Sequence, residues 1–378
     1  MRNYKTIFYI LIIAILSSCS SGKKAFQKGD YYTALYKAVD RLKSSPENKN
    51  ATKVLRDGYP VTLEWTQEEM DMAITSNDMF KWERAIYLME QVNRLSDQIR
   101  RTPAARQIIN NPKSYSAELN MAYEKAAEIR YNLGLEELEL NTKESARSAY
   151  ENFVAADRFV AGYKNVRELL QEAKEDATIK VIMEAIPVPS QRYKVSSEFF
   201  YNQVFEYVNN RFRPESFVNF YSPYQAETEG LIDPDFIVDL EFFDFSIGNL
   251  ARTEKEESLK KRVAIETRDS TKVRYKTFSA KLKTYTDEVI SGGNLRLLIL
   301  EPSGNKILVD ELIPGGFTWV NQYAIYVGDI EALNDNQLHL VNNKALPLPP
   351  HQDLFIEITR PIYEQLTGKL QRFFRRYN

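Results

Sequence analysis

The sequence predicts an α+β protein in two parts: an N-terminal α-helical, repeat-like module, then a mainly antiparallel sheet with flanking helices. Three observations carry this. Residues 62–101, 115–140, 143–157 and 163–184 are rich in Ala, Glu, Leu, Lys and Arg, with apolar residues at threes and fours. Pro187-Val188-Pro189 then interrupts the helical pattern, since proline cannot continue a helix and biases its neighbours to extended backbone. Beyond it the chain turns to alternating apolar and polar residues, and the aromatics, 23 Tyr and 20 Phe overall, become denser. The expected organisation is 1–18 as a leader, 19–186 as the helical module and 190–378 as the α+β module.

The leader comes first in the chain. Arg2 and Lys5 supply a positive start and Ile7 to Leu16 an apolar stretch, too short to span roughly 30 Å of hydrocarbon as a helix. Leu16-Ser17-Ser18-Cys19 follows, and Cys19 is the only cysteine, so it forms no internal disulfide. This run resembles a bacterial lipoprotein signal peptide with its lipobox. The resemblance implies removal of residues 1–18 and acylation of Cys19 with lipid such as palmitate. Ser20-Ser21-Gly22-Lys23-Lys24 has no Asp beside Cys19 and no acidic run, which by the same resemblance implies the periplasmic side of the outer membrane. An ordinary secretory leader with a chance cysteine is the plainer alternative.

Composition narrows the function classes. The chain is 43% hydrophobic and 27% charged, ordinary for folded protein. Loss of Arg2 and Lys5 takes the basic count from 50 to 48 against 52 acids, a mature charge of −4. That balance argues against nucleic acid as a partner, because phosphate binding needs a basic face. No later run of 18 apolar residues predicts a membrane span.

Within the helical part a degenerate repeat is expected. Lys28-Gly29-Asp30-Tyr31 precedes Ala34, Ala38 and, twelve residues after Ala34, Pro46. This spacing resembles the second half of a tetratricopeptide repeat, with Gly22 at the small position of its first helix. Ala73 and Ala85, with Trp82 and Met89, align as a second unit; Gly134 and Ala146, with Tyr150 and Phe153, align as a third. The alanine anchors fall 51 and 61 residues apart, so irregular structure is expected around Pro103 to Pro112. A non-repeating bundle with alanines at helix contacts is the alternative. Stacked hairpins make a concave surface suited to protein partners, and Tyr31, Tyr32, Tyr36, Trp65 and Trp82 are its candidate liners. Aromatics at helical spacing also serve as core.

After the break, Phe199 to Phe212 reads as an amphipathic helix and Phe236 to Phe245 as a strand. Val263–Thr267 and Lys272–Tyr285 are further strands, the second with a bulge near Thr277. Leu295–Leu300 and Lys306–Leu312 flank the turn Pro302-Ser303-Gly304-Asn305; Trp319–Val327 adds a strand, and Pro361–Tyr377 closes the chain as a helix. Arg252 to Arg262 reads as a solvated loop, and Leu346-Pro-Leu-Pro-Pro350 as extended chain. The order of aromatic helix, strand after Asp233-Pro234-Asp235, hairpin and closing helix resembles the α+β domain of curli-secretion lipoproteins and of lipoprotein activators of penicillin-binding proteins. That resemblance, over about half the mature chain, implies a domain that docks to envelope proteins and performs no chemistry. No hairpin pair long enough to line a barrel is expected.

Catalytic groups are sparse. His339 and His351 lie in turn-rich sequence without a nucleophile motif beside them. Ser258-Leu-Lys-Lys261 fits Ser-x-x-Lys but lies in the charged stretch. Asp235, Asp239 and Glu241 share a strand face and could hold a cation, though exposed carboxylates opposite an apolar face explain them equally. The basic side of the closing helix (Lys369, Arg372, Arg375, Arg376) could touch anionic lipid, while its stripe Ile362, Leu366, Leu370, Phe373 and Tyr377 suits packing on the sheet. The expectation is a non-enzymatic, lipid-anchored scaffold or accessory subunit of an envelope machine (secretion, outer-membrane protein assembly or cell-wall synthesis), needing no cofactor and no metal. The second reading is a peptidoglycan- or carbohydrate-binding lipoprotein, possibly a hydrolase, using aromatic platforms.

Overall fold

The computed structural model describes residues 30–187, 194–213, 216–265 and 274–377. Cys19, Gly22, Lys28, Gly29, Val188 and Pro189 lie outside them, as do Thr267 and Lys272. The chain divides into two units at Ala177 and Thr178.

The first unit contains α1 (Tyr31–Ser44), α2 (Lys49–Thr75), α3 (Lys81–Arg101), α4 (Pro103–Ile108), α5 (Ser116–Glu139), α6 (Lys143–Phe159) and α7 (Val166–Ala177). Local chemistry sets several starts. Asp30 and Asn48 accept from the backbone N–H of Thr33 and Ala51, and Thr142 and Ser145 form a reciprocal capping box before α6. The predicted helical stretch 62–101 is two helices. Asp78 accepts from the Phe80 N–H at 2.8 Å and Ser76 donates to the Ala73 carbonyl at 2.7 Å, so short polar side chains end α2 and turn the chain. Around Pro103–Pro112 a single short helix and a pinned segment replace disorder of pattern: the Lys113 N–H donates to Tyr59 Oη at 2.8 Å and Arg100 to the Pro112 carbonyl at 3.0 Å.

Successive helices share three apolar clusters, α1–α2–α3–α4, α2–α3–α5 and α5–α6–α7. Small residues sit where helices meet. Ala34, Ala38 and Ala85 are fully buried, and Ala146 nearly so. A Cβ at Gly134 would lie 2.5 Å from the Phe153 ring, so α5 approaches α6 more closely there than any other residue permits.

The second unit contains β1 (Ile179–Met183), α8 (Lys194–Arg211), β2 (Val218–Tyr221), α9 (Pro223–Glu229), β3 (Phe236–Ile247), β4 (Ala251–Ile265), β5 (Arg274–Glu301), β6 (Lys306–Gly328), α10 (Asp335–Asn342) and α11 (His351–Phe374). The sheet order is β2-β1-β3-β5-β4, with β6 along the other edge of β5. It is a mixed sheet: β1 runs parallel to both β2 and β3, and the remaining pairs are antiparallel. The expected helix over 163–184 therefore ends at Ala177. Ile179-Lys180-Val181-Ile182-Met183 is β-branched at three positions and alternates buried with half-buried, which suits a central strand.

Further expectations are corrected. Arg252–Arg262 is the strand β4, held to β5 in unbroken register from Ala251↔Glu288 to Ile265↔Arg274, so there is no bulge near Thr277; the irregularities fall at Phe243/Ser246 and Ile299/Leu300. The separate strands expected over 272–300 and 306–327 are single long strands, 28 and 23 residues, so long hairpin partners do exist. Arg252, Glu254, Lys255, Glu256, Glu257, Lys260, Lys261 and Arg262 populate both faces of β4, which is no surface for lipid. The closing helix begins at His351, ten residues earlier than expected. Leu354, Phe355, Ile358, Ile362, Leu366, Leu370 and Phe374 recur at threes and fours straight through Pro361, and their burial holds the helix across it. The chain at 344–350 has no regular structure.

The buried face of β5 switches along its length. Leu295, Leu297 and Ile299 pack with β1, β3, α8 and α11. Ala280 and Leu282, in the other register, pack with Ala332, Leu333 and side chains of α10. β3 and β4 occupy the same edge of β5 in succession, and at the break the Gly248 N–H donates to the Ile290 carbonyl at 3.0 Å, where a Cβ would come within 2.4 Å of that oxygen.

Arg252 fastens β4 to β5 at this break: Nε donates to Asp287 Oδ1 at 2.6 Å and Nη2 to Oδ2 at 2.9 Å. These bonds hold the Asp287 carboxyl below the usual carboxylate range. A depressed carboxylate contributes stability above its unfolded value, about 4, and loses it as pH falls through the folded value. Amide exchange in β4 is expected to accelerate in acid below about pH 4. Asp287→Asn should abolish that acid dependence; an unchanged pH profile in the variant would assign it elsewhere.

Candidate functional site

α3 is the helix whose outward face carries the most chemistry in the first unit. Its inward side, Ala85, Ile86, Leu88, Met89, Val92, Leu95 and Ile99, is spent on the core. The helical period therefore turns Tyr87, Glu90, Gln91, Arg94, Gln98 and Arg101 away from it. Two clefts flank this row. One, about 550 Å³, is lined by Tyr36, Gln91, Arg94, Asp97, Gln98 and Arg101. The other, about 470 Å³, is lined by Glu83, Ile86, Tyr87, Glu90, Tyr123, Arg158 and Phe159.

The clefts are joined by a polar chain across α3. Arg94 Nη1 lies 3.2 Å from Glu90 Oε2, and Tyr123 Oη donates to Glu90 Oε1 at 2.7 Å. Burial, then the bond to Glu90, pushes the Tyr123 phenol up to about 12, so it stays a donor at any physiological pH. Tyr36 Oη donates to the Gln91 carbonyl at 3.3 Å; burial raises its pKa and the Arg94 cation opposes the rise. The Tyr123 and Phe159 rings stack at 6.2 Å, and the Arg158 guanidinium lies 5.3 Å from the Phe159 centroid. Tyr87 is 51% exposed. A surface of exposed aromatic, paired charge and amide suits recognition of a polypeptide, whose side chains and backbone offer matching groups.

Of the five aromatic liners expected from sequence, the structure places only Tyr36 at these clefts. Tyr31 and Tyr32 pack against Trp65, with centroids 5.8 and 6.3 Å apart, and Tyr32 Oη is bonded to Thr66 Oγ1 at 2.8 Å, so this trio joins α1 to α2. Burial raises the Tyr32 pKa to about 12. Trp82 packs against the α2–α3–α5 cluster. Tyr87, Glu90, Arg94, Tyr123 and Phe159 were missed. The signal for Tyr87, Glu90 and Arg94 was the polar row at threes and fours on α3, which every solvent-facing helix shows.

The other candidates stay apart. His339 is exposed on α10 and His351 opens α11. Ser258 and Lys261, three apart on a strand, point to opposite faces, and Lys261 Nζ donates to the Leu333 carbonyl at 3.4 Å. The carboxylates Asp235, Asp239 and Glu241 do not form a cage: Asp235 Oδ2 accepts from the Lys180 N–H at 2.7 Å, while Asp239 and Glu241 bear on Arg296, itself paired with Asp310 at 2.8 Å. Among the described residues no group of three or more His, Cys, Asp or Glu could hold a metal ion. Nor is any helix there long and apolar enough to cross a membrane.

No family model matches the sequence, and no curated protein matches it. Among solved structures, one that is similar to part of the chain is a putative neuraminyllactose-binding hemagglutinin homolog from Helicobacter pylori. It is 11% identical, covering 53% of this chain and 90% of that one, with a TM-score of 0.28. At that score the likeness carries no argument about this chain.

Proposed function

We propose that this chain is a lipid-anchored scaffold or accessory subunit on the periplasmic side of a bacterial outer membrane, which binds other envelope proteins and acts by binding, without chemistry of its own. The observation that carries the binding role is the outward row of α3, with Tyr87, Glu90 and Arg94 set between two clefts. We read the helical unit as tetratricopeptide-like, supported by the small residues at its helix contacts, Ala34, Ala38, Ala85 and Gly134 against Phe153. The anchor rests on the leader and on Cys19 as the single cysteine.

Both halves are tested by one experiment. Tagged wild-type chain is extracted from membranes in detergent beside Tyr87→Ala/Arg94→Ala and Cys19→Ala. The double variant is expected to keep its membrane fraction and its helical circular dichroism while losing at least tenfold of the co-purifying partner, the effect of removing two central interface side chains. Cys19→Ala is expected to leave the membrane fraction. Equal partner recovery from the double variant would overturn the α3 site, and a Cys19→Ala chain that still sediments with membranes would overturn the anchor.

A further inference from the structure

Strand β4 has one paired edge. Its fifteen residues are laddered to β5, and among the described residues nothing pairs with its other edge. A long open edge invites a second strand, and proteins commonly blunt such edges with charged side chains, Lys above all. The charge on β4 is of both signs and, from Glu256 onward, is ordered: acidic at Glu256 and Glu257, basic at Lys260, Lys261 and Arg262, with Arg252, Glu254 and Lys255 alternating before them. An antiparallel partner carrying the same sequence presents that order reversed.

Backbone geometry reduces the possible registers to a few. The N–H and C=O groups free to bond outward recur at every second residue, so two identical antiparallel strands can pair only with the two-fold axis passing through a residue. With the axis at Glu257, Glu257 faces its own copy and Arg252 faces Arg262. At Ser258, Lys255 faces Lys261. At Lys260, Lys260 faces its own copy. With the axis at Leu259, Glu256 faces Arg262 and Glu257 faces Lys261, each twice by symmetry, Leu259 faces Leu259, and no like charges are opposed. Glu256 and Arg262 lie on one face of the strand and Glu257 and Lys261 on the other, so both faces of the joint carry opposite pairs.

We propose that β4 is a self-association edge: two copies of this chain pair β4 to β4, antiparallel, about Leu259, joining the two β4–β5–β6 ribbons into one continuous sheet. Residues 253–265 of each copy overlap in this register. Glu256 carries no ion pair among the described residues, and Arg262 lies over the Tyr275 ring at 4.3 Å with no carboxylate, so each brings an uncommitted charge to the joint. Lys255, 3.1 Å from Glu257, stands opposite Val263 and meets no like charge.

Charge exchange tests the register directly. The full chain in detergent solution at low salt is expected to sediment as a dimer. Glu256→Lys/Glu257→Lys and Lys261→Glu/Arg262→Glu should each dimerise at least tenfold more weakly, because every opposed pair becomes repulsive. An equimolar mixture of the two variants should recover a dimer of near wild-type affinity, since all four contacts are again opposite in sign. A wild-type chain that is monomeric throughout, variants that dimerise as tightly as wild type, or a mixture that stays monomeric would each overturn the proposal. Glu256, Lys261 and Arg262 are exposed and Glu257 is half-buried, and unchanged circular dichroism confirms that the variants fold.

Discussion

Phe374→Ala is expected to destabilise the second unit by about 3–5 kcal/mol, near the upper limit for a single core truncation. Phe374 is fully buried in the last turn of α11, and its ring contacts five others: Phe220 at 5.0 Å, Phe236 at 6.0 Å, Phe212 at 6.2 Å, Phe373 at 4.8 Å and Tyr377 at 6.5 Å. These rings come from β2, β3, the residue after α8, α11 and the 3-10 turn that follows it, so the side chain ties the C-terminal helix to elements far apart in sequence. Most of the contacts are tilted or edge-to-face, the arrangement that adds to burial rather than merely filling space. The cavity left by alanine is walled by stiff rings that collapse poorly. Denaturant unfolding of the full chain, followed by hydrogen exchange, should show the loss in the second unit while protection of α1–α7 is unchanged. A loss below about 1 kcal/mol, the scale of a single surface contact, would contradict the packing.

The second large effect is Gly315→Val on β6. A Cβ at Gly315 would sit 2.5 Å from the Ile358 carbonyl oxygen and 2.6 Å from Ile362 Cγ1, both on α11. Backbone oxygen cannot rotate away as a flexible side chain can, so α11 or β6 must shift. Overpacking of this kind costs typically about 1–3 kcal/mol, and a helix forced off its sheet falls at the upper end or beyond. The neighbouring residue supplies the control. A Cβ at Gly316 meets only the Ser291 carbonyl, at an ordinary 3.7 Å, and the position is exposed. Gly316→Val is expected to be neutral or slightly stabilising, because glycine weakens a strand interior. Equal melting temperatures for the two variants would refute the close approach of α11 to β6.

Much of the local structure was legible because it is local. Of the alanines spaced for helix contacts, those at 34, 38, 85 and 146 are buried while Ala73 is half-buried, and the turn Pro302-Ser303-Gly304-Asn305 is present as a short 3-10 turn with Asn305 at a φ of 48°. What was misread shares one cause. Ile179–Met183 followed a strongly helical run and was absorbed into it, although its neighbours β2 and β3, reached 39 and 57 residues later, make it a strand. Arg252–Arg262 has the composition of a solvated loop and is a strand only because β5 supplies its hydrogen bonds. Pro361 reads as a helix start, yet burial on both sides of it carries α11 through.

The candidate site divides the same way. Tyr36 could be named from its helical position, but Tyr123 and Phe159 reach the α3 row from other helices, and no spacing along the chain encodes that meeting.

The sequence by itself determined the helical first half and the strand-rich second half, since composition and periodicity are properties of neighbouring residues. Only the tertiary structure decided which strands are central, where β5 changes its buried face and which aromatics are spent on the core. Those outcomes depend on hydrogen-bond partners and packing surfaces that arrive from tens of residues away.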